Sequence, residues 1–228
     1  DLVMLDTRLW GRDEQAELGA QAAMEDPART LLGFDQEAWL TEELAHATGR
    51  FTIIGQQVMM GQLQADGAAL NPDQWDGYIA ARARFFDAVE AAGTRNLVVL
   101  SGDIHSSWAS DLARAPTDPA TYDPATGAGA LGVEVVTPGL TSGLEGSGLS
   151  EDLLNLVDWA SFAPHVKYRE SVRRGYVILD VTPERLVAAW YHFERTDIDV
   201  GTSSFSAALA AYDGQPHLVE APEPAPPR

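Results

Sequence analysis

The sequence predicts an α/β fold in which strands alternate with helices in the first half of the chain. Three observations support this prediction: short, almost continuous apolar runs, amphipathic helical segments between them, and a proline-containing turn between the last two runs. Continuous apolar runs are typical of strands covered on both faces, and strand-helix-strand order favours parallel pairing. With 228 residues, 45% of them hydrophobic and 21% charged, the chain is long enough for one domain with a sizeable core.

The predicted strands are apolar segments, most of them short and nearly continuous. They are LVML at 2–5, FTII at 51–54, LVVL at 97–100, VEVV at 133–136, YVILDV at 176–181 and LVAAWYHF at 186–193. The last two are joined by Thr182-Pro183-Glu184-Arg185, which carries proline where a type I turn favours it. The sequence therefore predicts a terminal antiparallel hairpin at the edge of a sheet.

Two helices are predicted between the first three strands. Asp35 is expected to be the N-cap of QEAWLTEELAHATG, whose apolar residues recur on one stripe. The second helix, WDGYIAARARFFDAVEAAG, has the same pattern and is expected to end at Gly93.

Glycine- and proline-rich segments predict the loops and the end of the domain. Residues 115–130 and 139–148 are expected to be loops, and APEPAPPR an extended terminus. We therefore expect one folded domain over residues 1–214 and an extended proline-rich tail over residues 215–228.

The charge balance excludes several classes of partner. Fifteen basic and 34 acidic residues give a formal net charge of −19, which repels nucleic acid phosphates and anionic lipid but tolerates divalent cations.

The absence of cysteine excludes disulfides and thiolate metal sites. No apolar run approaches the roughly 20 residues that a membrane-spanning helix needs.

The first candidate site follows the strand at 97–100. Gly102 allows a sharp turn, and Asp103 and His105, at alternate positions beyond it, are able to point in the same direction. A carboxylate and an imidazole suit a divalent or trivalent metal, and ligands bind outside the carboxyl ends of strands in open α/β sheets. The alternative is structural: Asp103 caps a helix formed by SSWASDLA, and His105 bonds to the backbone.

The second candidate is the segment FAPHVKYRE at residues 162–170. His165 follows a proline, whose restrained backbone is suited to directing a ligand or a phosphate donor. Lys167 is the only lysine in the chain, and its compact ammonium group is suited to a phosphate or carboxylate. A surface-loop histidine without a chemical role is the alternative.

The third candidate is the segment LDTRLWGR at the start of the chain. Arg8 follows an apolar run and is a candidate bidentate clamp for an anion, whereas an Asp6-Arg8 pair that fixes the loop is the alternative. Gln56 and Gln57 follow another run, where they either line a site or satisfy loop backbone groups.

Seven motifs, in order along nearly the whole chain, resemble the carboxy-terminal half of the PhoD-like alkaline phosphatases of the calcineurin-like metallophosphoesterase superfamily. They are LDTR at 5–8, LLGFDQEAWL at 31–40, IIGQQVMM at 53–60, LSGDIHSSWASDL at 100–112, VVTPGLTS at 135–142, PHVKY at 164–168 and RRGYVILDVTPERLVAAW at 173–190. The resemblance implies a two-sheet sandwich flanked by helices, with a metal centre at the strand ends. It also implies hydrolysis of phosphate monoesters and diesters, iron and calcium as cofactors, and a periplasmic or extracellular location.

The resemblance assigns roles to the candidate residues. Asp103 and His105 are expected to ligate metal, and Arg8 to contact the substrate phosphate as a catalytic residue. His165 is expected to lie near the site as a second catalytic residue, with Lys167 as a substrate contact. Ala163 stands where the family has an asparagine, so any contact made by that asparagine is lost here.

The family's first metal ligands come from amino-terminal motifs that this sequence lacks. We therefore expect the chain to be the carboxy-terminal part of a longer enzyme, inactive in isolation, whose centre is completed by the amino-terminal portion of the same protein. The alternatives are a degenerate homologue that acts as a packing or binding module, and a serine hydrolase. The latter is disfavoured because the chain has no Gly-x-Ser-x-Gly elbow.

Overall fold

The computed structural model describes residues 1–65, 67–143, 158–194, 202–221 and 224. The strands are β1 (Leu2–Met4), β2 (Thr52–Gly55), β3 (Gln64–Ala65), β4 (Ala68–Ala69), β5 (Leu97–Ser101), β6 (Ser107–Ala113), β7 (Ala130–Val136), β8 (Val166–Glu170), β9 (Gly175–Val181), β10 (Arg185–Phe193), β11 (Ser203–Tyr212) and β12 (Val219–Glu220). The helices are α1 (Gln21–Met24), α2 (Phe34–His46), α3 (Ile79–Ala91) and α4 (Trp159–Phe162), with a 3-10 turn at Trp75–Gly77.

The larger sheet is mixed and contains the strands predicted in the first half of the chain. Its order is β1-β2-β5-β7-β6-β8. β1, β2, β5 and β7 are parallel, whereas β6 is antiparallel to β7 and to β8. The predicted α/β class is therefore confirmed. The helix considered for SSWASDLA is wrong, because Ser107–Ala113 is a strand buried along its whole length.

The smaller sheet is antiparallel and has the order β12-β11-β10-β9. The predicted hairpin is present: Val181 pairs with Leu186, and the Thr182 N–H donates to the Arg185 carbonyl over 2.9 Å. β11 was not predicted, because its alanine- and serine-rich sequence has little of the β-branched character that marks a strand.

Two apolar cores lie on opposite faces of the larger sheet. One joins α2 and α3 to residues such as Ile54 and Val99. The other joins Val133 to the smaller sheet, including the fully buried Trp190. The larger sheet is thus covered on both faces, which explains its continuous apolar strands and gives the expected two-sheet sandwich flanked by helices.

The two main helices, α2 and α3, begin at different residues from those predicted, whereas α3 ends where the sequence predicts. Gly33, with φ +76°, precedes α2 and no side chain caps the helix, so Asp35 lies in the first turn and is not the N-cap. Gly93 has φ +63° just beyond α3, as expected for a terminating glycine.

In the described part of the chain, no helix combines the length and the apolar character that crossing a bilayer requires.

The segment that follows residue 214 begins as part of the fold. Leu218 is buried, and Val219–Glu220 pairs with β11. Residues 144–148 of the predicted loop and most of the proline-rich end, residues 222–223 and 225–228, lie outside the described residues.

Candidate active site

A tight turn after β1 carries Arg8. The Asp6 carboxylate accepts hydrogen bonds from the backbone N–H groups of Arg8 at 2.8 Å, Leu9 at 2.9 Å and Trp10 at 3.2 Å. The bonds from Leu9 and Arg8 lower the pKa of Asp6 below its ordinary value. Asp6 therefore shapes the turn through backbone groups, and the Arg8 side chain is left to reach other partners.

Arg8 joins the turn after β1 to the loop after β5. Its Nη1 donates to both carboxylate oxygens of Asp73 at 2.8 and 2.9 Å, and its Nη2 pairs with Asp103. Burial alone lowers the pKa of Arg8, but the hydrogen bonds to Asp73 and Asp103 outweigh it and the pKa is raised. Arg8 is thus a permanent cation between two carboxylates, with its side chain 31% exposed.

The loop after β5 holds two non-glycine residues in the left-handed region. Asp103 has φ +68° and His105 has φ +60°, and both are exposed. The Ile104 N–H donates to the Gly102 carbonyl over 2.8 Å, which closes a very tight turn. Such backbone costs about 1–3 kcal/mol per residue and concentrates at functional sites. Aspartate and histidine adopt this region more readily than most residues, and two such residues in one short turn motivate the functional role proposed below.

His105 is oriented by one contact to the backbone. Its Nδ1 lies 3.2 Å from the Gly143 carbonyl oxygen. When Nδ1 carries the proton and donates to that carbonyl, Nε2 presents the lone pair that a metal takes.

The donor types at this loop fit a metal, but their number is incomplete. Asp103 offers hard anionic oxygen and His105 an imidazole nitrogen. Within the residues that the structure describes, no group of three or more histidine, cysteine, aspartate or glutamate side chains is placed to hold a metal ion. Among the described residues, the Asp103-x-His105 turn thus offers two donors of suitable type and no complete ligand set.

Gln57 fixes the strand-end loops to one another. Its Oε1 accepts from the Thr7 N–H at 2.6 Å and the Thr7 hydroxyl at 2.7 Å, and its Nε2 donates to the Leu5 carbonyl at 2.9 Å. These bonds hold the residue directly before Arg8. Gln56 likewise bonds to Ser101 in the core at 2.6 Å. Both amides therefore satisfy loop groups, and both also line the groove that contains Arg8 and Asp103.

The buried carboxylate of Glu134 bonds to the loop after β2 and to the last residue of β5. Glu134 accepts from the Met60 and Gly61 N–H groups, both at 2.7 Å, and from the Ser101 hydroxyl at 2.5 Å. Burial raises the pKa of Glu134, although these hydrogen bonds oppose the effect. The sequence did carry a signal, a single glutamate inside the apolar run VEVV.

His165 and Lys167 lie away from Arg8 and Asp103. The His165 carbonyl accepts from the Asp111 N–H at 3.0 Å, and Asp111 is four residues along β6 from Ser107, or about 13 Å at the usual rise of a strand. His165 is 1% exposed, and burial lowers its pKa to about 4. The expected grouping of His165 and Lys167 with Arg8 is therefore absent.

Asp111 is the centre of a second polar cluster. Its fully buried carboxylate accepts from Tyr122 at 2.8 Å, His217 Nδ1 at 2.7 Å and the Leu218 N–H at 2.9 Å, and lies 3.4 Å from Lys167 Nζ. Burial raises the pKa of the Tyr122 phenol above its ordinary value. The lone lysine thus compensates a buried charge and helps to fix the segment after residue 214.

An apolar groove begins beside the Arg8-Asp103 pair. Its volume is about 800 Å³, and its walls include Leu2 and Met4 of β1 and Val177 and Leu179 of β9. Leu2 and Met4 are 65% and 63% exposed on the outermost strand of the larger sheet. The groove therefore runs from a charged end between two apolar walls.

The fold and these loops define an α/β sandwich with a polar site at the carboxyl ends of two strands of the larger sheet. The family model described as PhoD-like phosphatase matches residues 1–190, and the chain belongs to that family. It is 33% identical over 190 residues to alkaline phosphatase D of Bacillus subtilis (strain 168). That alignment covers 80% of this chain and 30% of the relative, so the chain spans less than a third of the relative's length.

A solved structure described as "Structure of PhoD" has the same fold. The TM-score is 0.77 at 27% sequence identity, over 98% of this chain and 42% of the other. The family expectation drawn from the seven motifs is thereby confirmed.

Proposed function

We propose that the chain forms part of a metal-dependent enzyme that hydrolyses phosphate monoesters or diesters. The observation that carries the proposal is the Arg8-Asp103 ion pair, which brings a guanidinium and a strained, exposed Asp-x-His turn together at the ends of β1 and β5. Membership of the PhoD-like phosphatase family supports the reaction class.

In this proposal, Arg8 binds the phosphoryl group of the substrate. Its planar guanidinium matches phosphate oxygens, and its raised pKa keeps it charged at alkaline pH. A phosphoryl oxygen replaces Asp103 as the acceptor for Nη2, while Asp73 keeps Nη1 in place. Arg8 then stabilises negative charge that develops on the phosphoryl oxygens.

Asp103 and His105 are the proposed metal ligands of this chain. Bound metal ions, with iron and calcium proposed from the resemblance, supply a water of lowered pKa and polarise the phosphoryl oxygens. The Asp103 carboxylate offers oxygen, and donation from His105 Nδ1 to the Gly143 carbonyl would leave the Nε2 lone pair for the metal.

The amino-terminal portion of the same protein is the proposed source of the remaining ligands. The relatives are longer than this chain, and the exposed apolar wall at Leu2 and Met4 is a surface that further polypeptide would cover. Export to the periplasm or the extracellular space belongs to the same proposal and rests on the resemblance.

The test is metal analysis and ester hydrolysis on the longest polypeptide that contains this sequence. Asp103→Asn should lower bound metal and hydrolysis together, because the amide is a poor metal ligand. Asp118→Asn is the matched control, since Asp118 is an exposed aspartate that bonds only within its own loop. A variant Asp103→Asn that keeps wild-type metal content and wild-type hydrolysis would contradict the assignment.

A further inference from the structure

A second groove lies beside the turn that carries Arg8, and we name it the Trp10 groove. Its volume is about 440 Å³. Trp10 and Gly11 form one side, and Gly33, Phe34 and Asp35 at the start of α2 form another, with Asp13 also in its lining. Trp10 is two residues from Arg8 on the turn that Asp6 holds, so one wall of the groove belongs to the same turn as the proposed phosphate contact.

The two sides of the groove are held together by a backbone contact that requires glycine. Gly11 has φ +70° and Gly33 has φ +76°, and a Cβ on Gly11 would lie 2.7 Å from the Gly33 Cα. This close approach fixes the loop of Trp10 against the start of α2. Trp10 is 66% exposed and Phe34 52% exposed, so two aromatic side chains are exposed on neighbouring backbone segments that the glycine contact joins.

The chemistry of the lining favours a cation. Both charged side chains in the lining, Asp13 and Asp35, are carboxylates. Aromatic rings attract cations through their negatively charged faces, and one face of Phe34 already has the Arg84 guanidinium 5.2 Å from its ring centroid, with Glu37 balancing that charge. An anionic group would be repelled by the two carboxylates and by the net charge of −19.

We propose that the Trp10 groove binds the quaternary ammonium group of a phosphate ester whose alcohol carries that positive charge. The phosphoryl group of the same ester contacts Arg8. The inference rests on the proposed phosphatase function for the identity of the ester, but the binding of the cation stands on the groove alone. A neutral alkyl group would contact the two rings without using the carboxylates, so charge is the property that the groove selects.

The first test is a binding experiment that needs no catalysis. Choline chloride is titrated into the ¹⁵N-labelled protein, with sodium chloride as the ionic-strength control and neutral 3,3-dimethylbutan-1-ol as the shape control. Saturable shifts are expected for the Trp10 indole N–H, identified with Trp10→Phe, and for the Gly11 and Gly33 amides. Trp10→Ala should weaken binding about two- to fivefold. Asp35→Asn should weaken it about twofold.

A matched control is Trp39→Ala, because Trp39 is a partly exposed tryptophan of α2 outside the groove. Equal shifts with the neutral alcohol, or none with choline, would overturn the proposal. Loss of the shifts in the longest polypeptide, with the groove covered by additional chain, would overturn it as well.

The second test concerns the ester and uses that longest polypeptide. Choline phosphate should be hydrolysed with a higher kcat/KM than 3,3-dimethylbutyl phosphate, and Trp10→Ala should remove the difference while Trp39→Ala preserves it. Hydrolysis of both esters at equal rates would overturn the substrate assignment. Choline binding without hydrolysis of any ester would count against the phosphatase function and leave the cation site standing.

Discussion

Arg8 and Asp103 form an ion pair that connects the turn after β1 to the loop after β5, although 95 positions separate them in the chain. Asp73 holds the other side of the Arg8 guanidinium and also pairs with Arg12 at 2.5 Å. Because two carboxylates fix the guanidinium, its position is set before any substrate arrives.

Replacing Arg8 should impair catalysis without removing metal. In the longest active polypeptide, Arg8→Ala should lower kcat/KM for phosphate esters by about 100-fold, the usual loss when one preorganised donor to a transition-state oxygen is removed. Arg8→Lys should recover only a small part, since lysine lacks the planar pair of donors. Steady-state kinetics with parallel metal analysis measures both effects. Arg95→Ala, at a largely exposed arginine, is the control, and wild-type kinetics in Arg8→Ala would refute the role.

Removing the Gln57 amide should destabilise the protein. Gln57→Ala leaves the buried Thr7 N–H and hydroxyl without their acceptor and the Leu5 carbonyl without its donor. The free energy of unfolding should fall by about 1–3 kcal/mol, as for unsatisfied buried polar groups. Urea denaturation measures the change. Gln64→Ala is the control because the Gln64 amide makes one long hydrogen bond of 3.4 Å, and equal effects of the two substitutions would contradict the prediction.

The stability of the fold should depend on pH through His165. Its pKa is lowered from 6.5 to about 4 by burial, so between these pH values the unfolded chain binds a proton that the folded protein does not. The free energy of unfolding should therefore fall as pH decreases through this window, by about 3 kcal/mol in total. His165→Phe should reduce this dependence, whereas His46→Gln, at an exposed histidine, should preserve it. Chemical denaturation at a series of pH values between 7 and 4 is the measurement, and parallel pH profiles for wild type and His165→Phe would disprove the claim.

Neutralising Asp111 should release the segment after residue 214. Asp111→Asn leaves Lys167 without its buried counter-charge and weakens the contacts to His217 and the Leu218 N–H. Loss of one partner of a buried pair costs about 3–5 kcal/mol. Amide hydrogen exchange should accelerate at Leu218 and Val219 more than in β5. Unchanged exchange at Leu218 would show that β12 pairing alone holds the segment.

The sequence predicted the fold better than it predicted the site. The apolar runs correctly predicted the strands whose side chains are large. β6 and β11 were not predicted as strands because serine and alanine make up much of each. Burial of those strands depends on the partners that cover them, which a single chain segment does not reveal. The Asp35 cap failed for a related reason, since Gly33 turns sharply against Gly11 and starts the helix earlier.

The candidate site illustrates which properties spacing can reveal. The glycine that ends β5 predicted a sharp turn with Asp103 and His105 beyond it, and Arg8 was recognised from its position after a strand. Asp73 was missed because it is brought in by a loop 65 positions from Arg8. His165 was associated with Arg8 by motif alone, whereas the pairing of β6 with β8 carries it toward Asp111. Whether Asp103 and His105 bind metal stays a prediction.

The left-handed backbone at His105 lowers the thermal stability of the protein while it keeps an imidazole at this position. Glycine adopts that conformation without the steric cost that an imidazole-bearing residue incurs, so a laboratory selection for heat tolerance alone should enrich glycine at position 105. Variants selected for thermal stability in this way would lose the exposed imidazole of the Asp103-x-His105 turn. Variants of this protein should therefore be screened for thermal stability and for catalytic activity together.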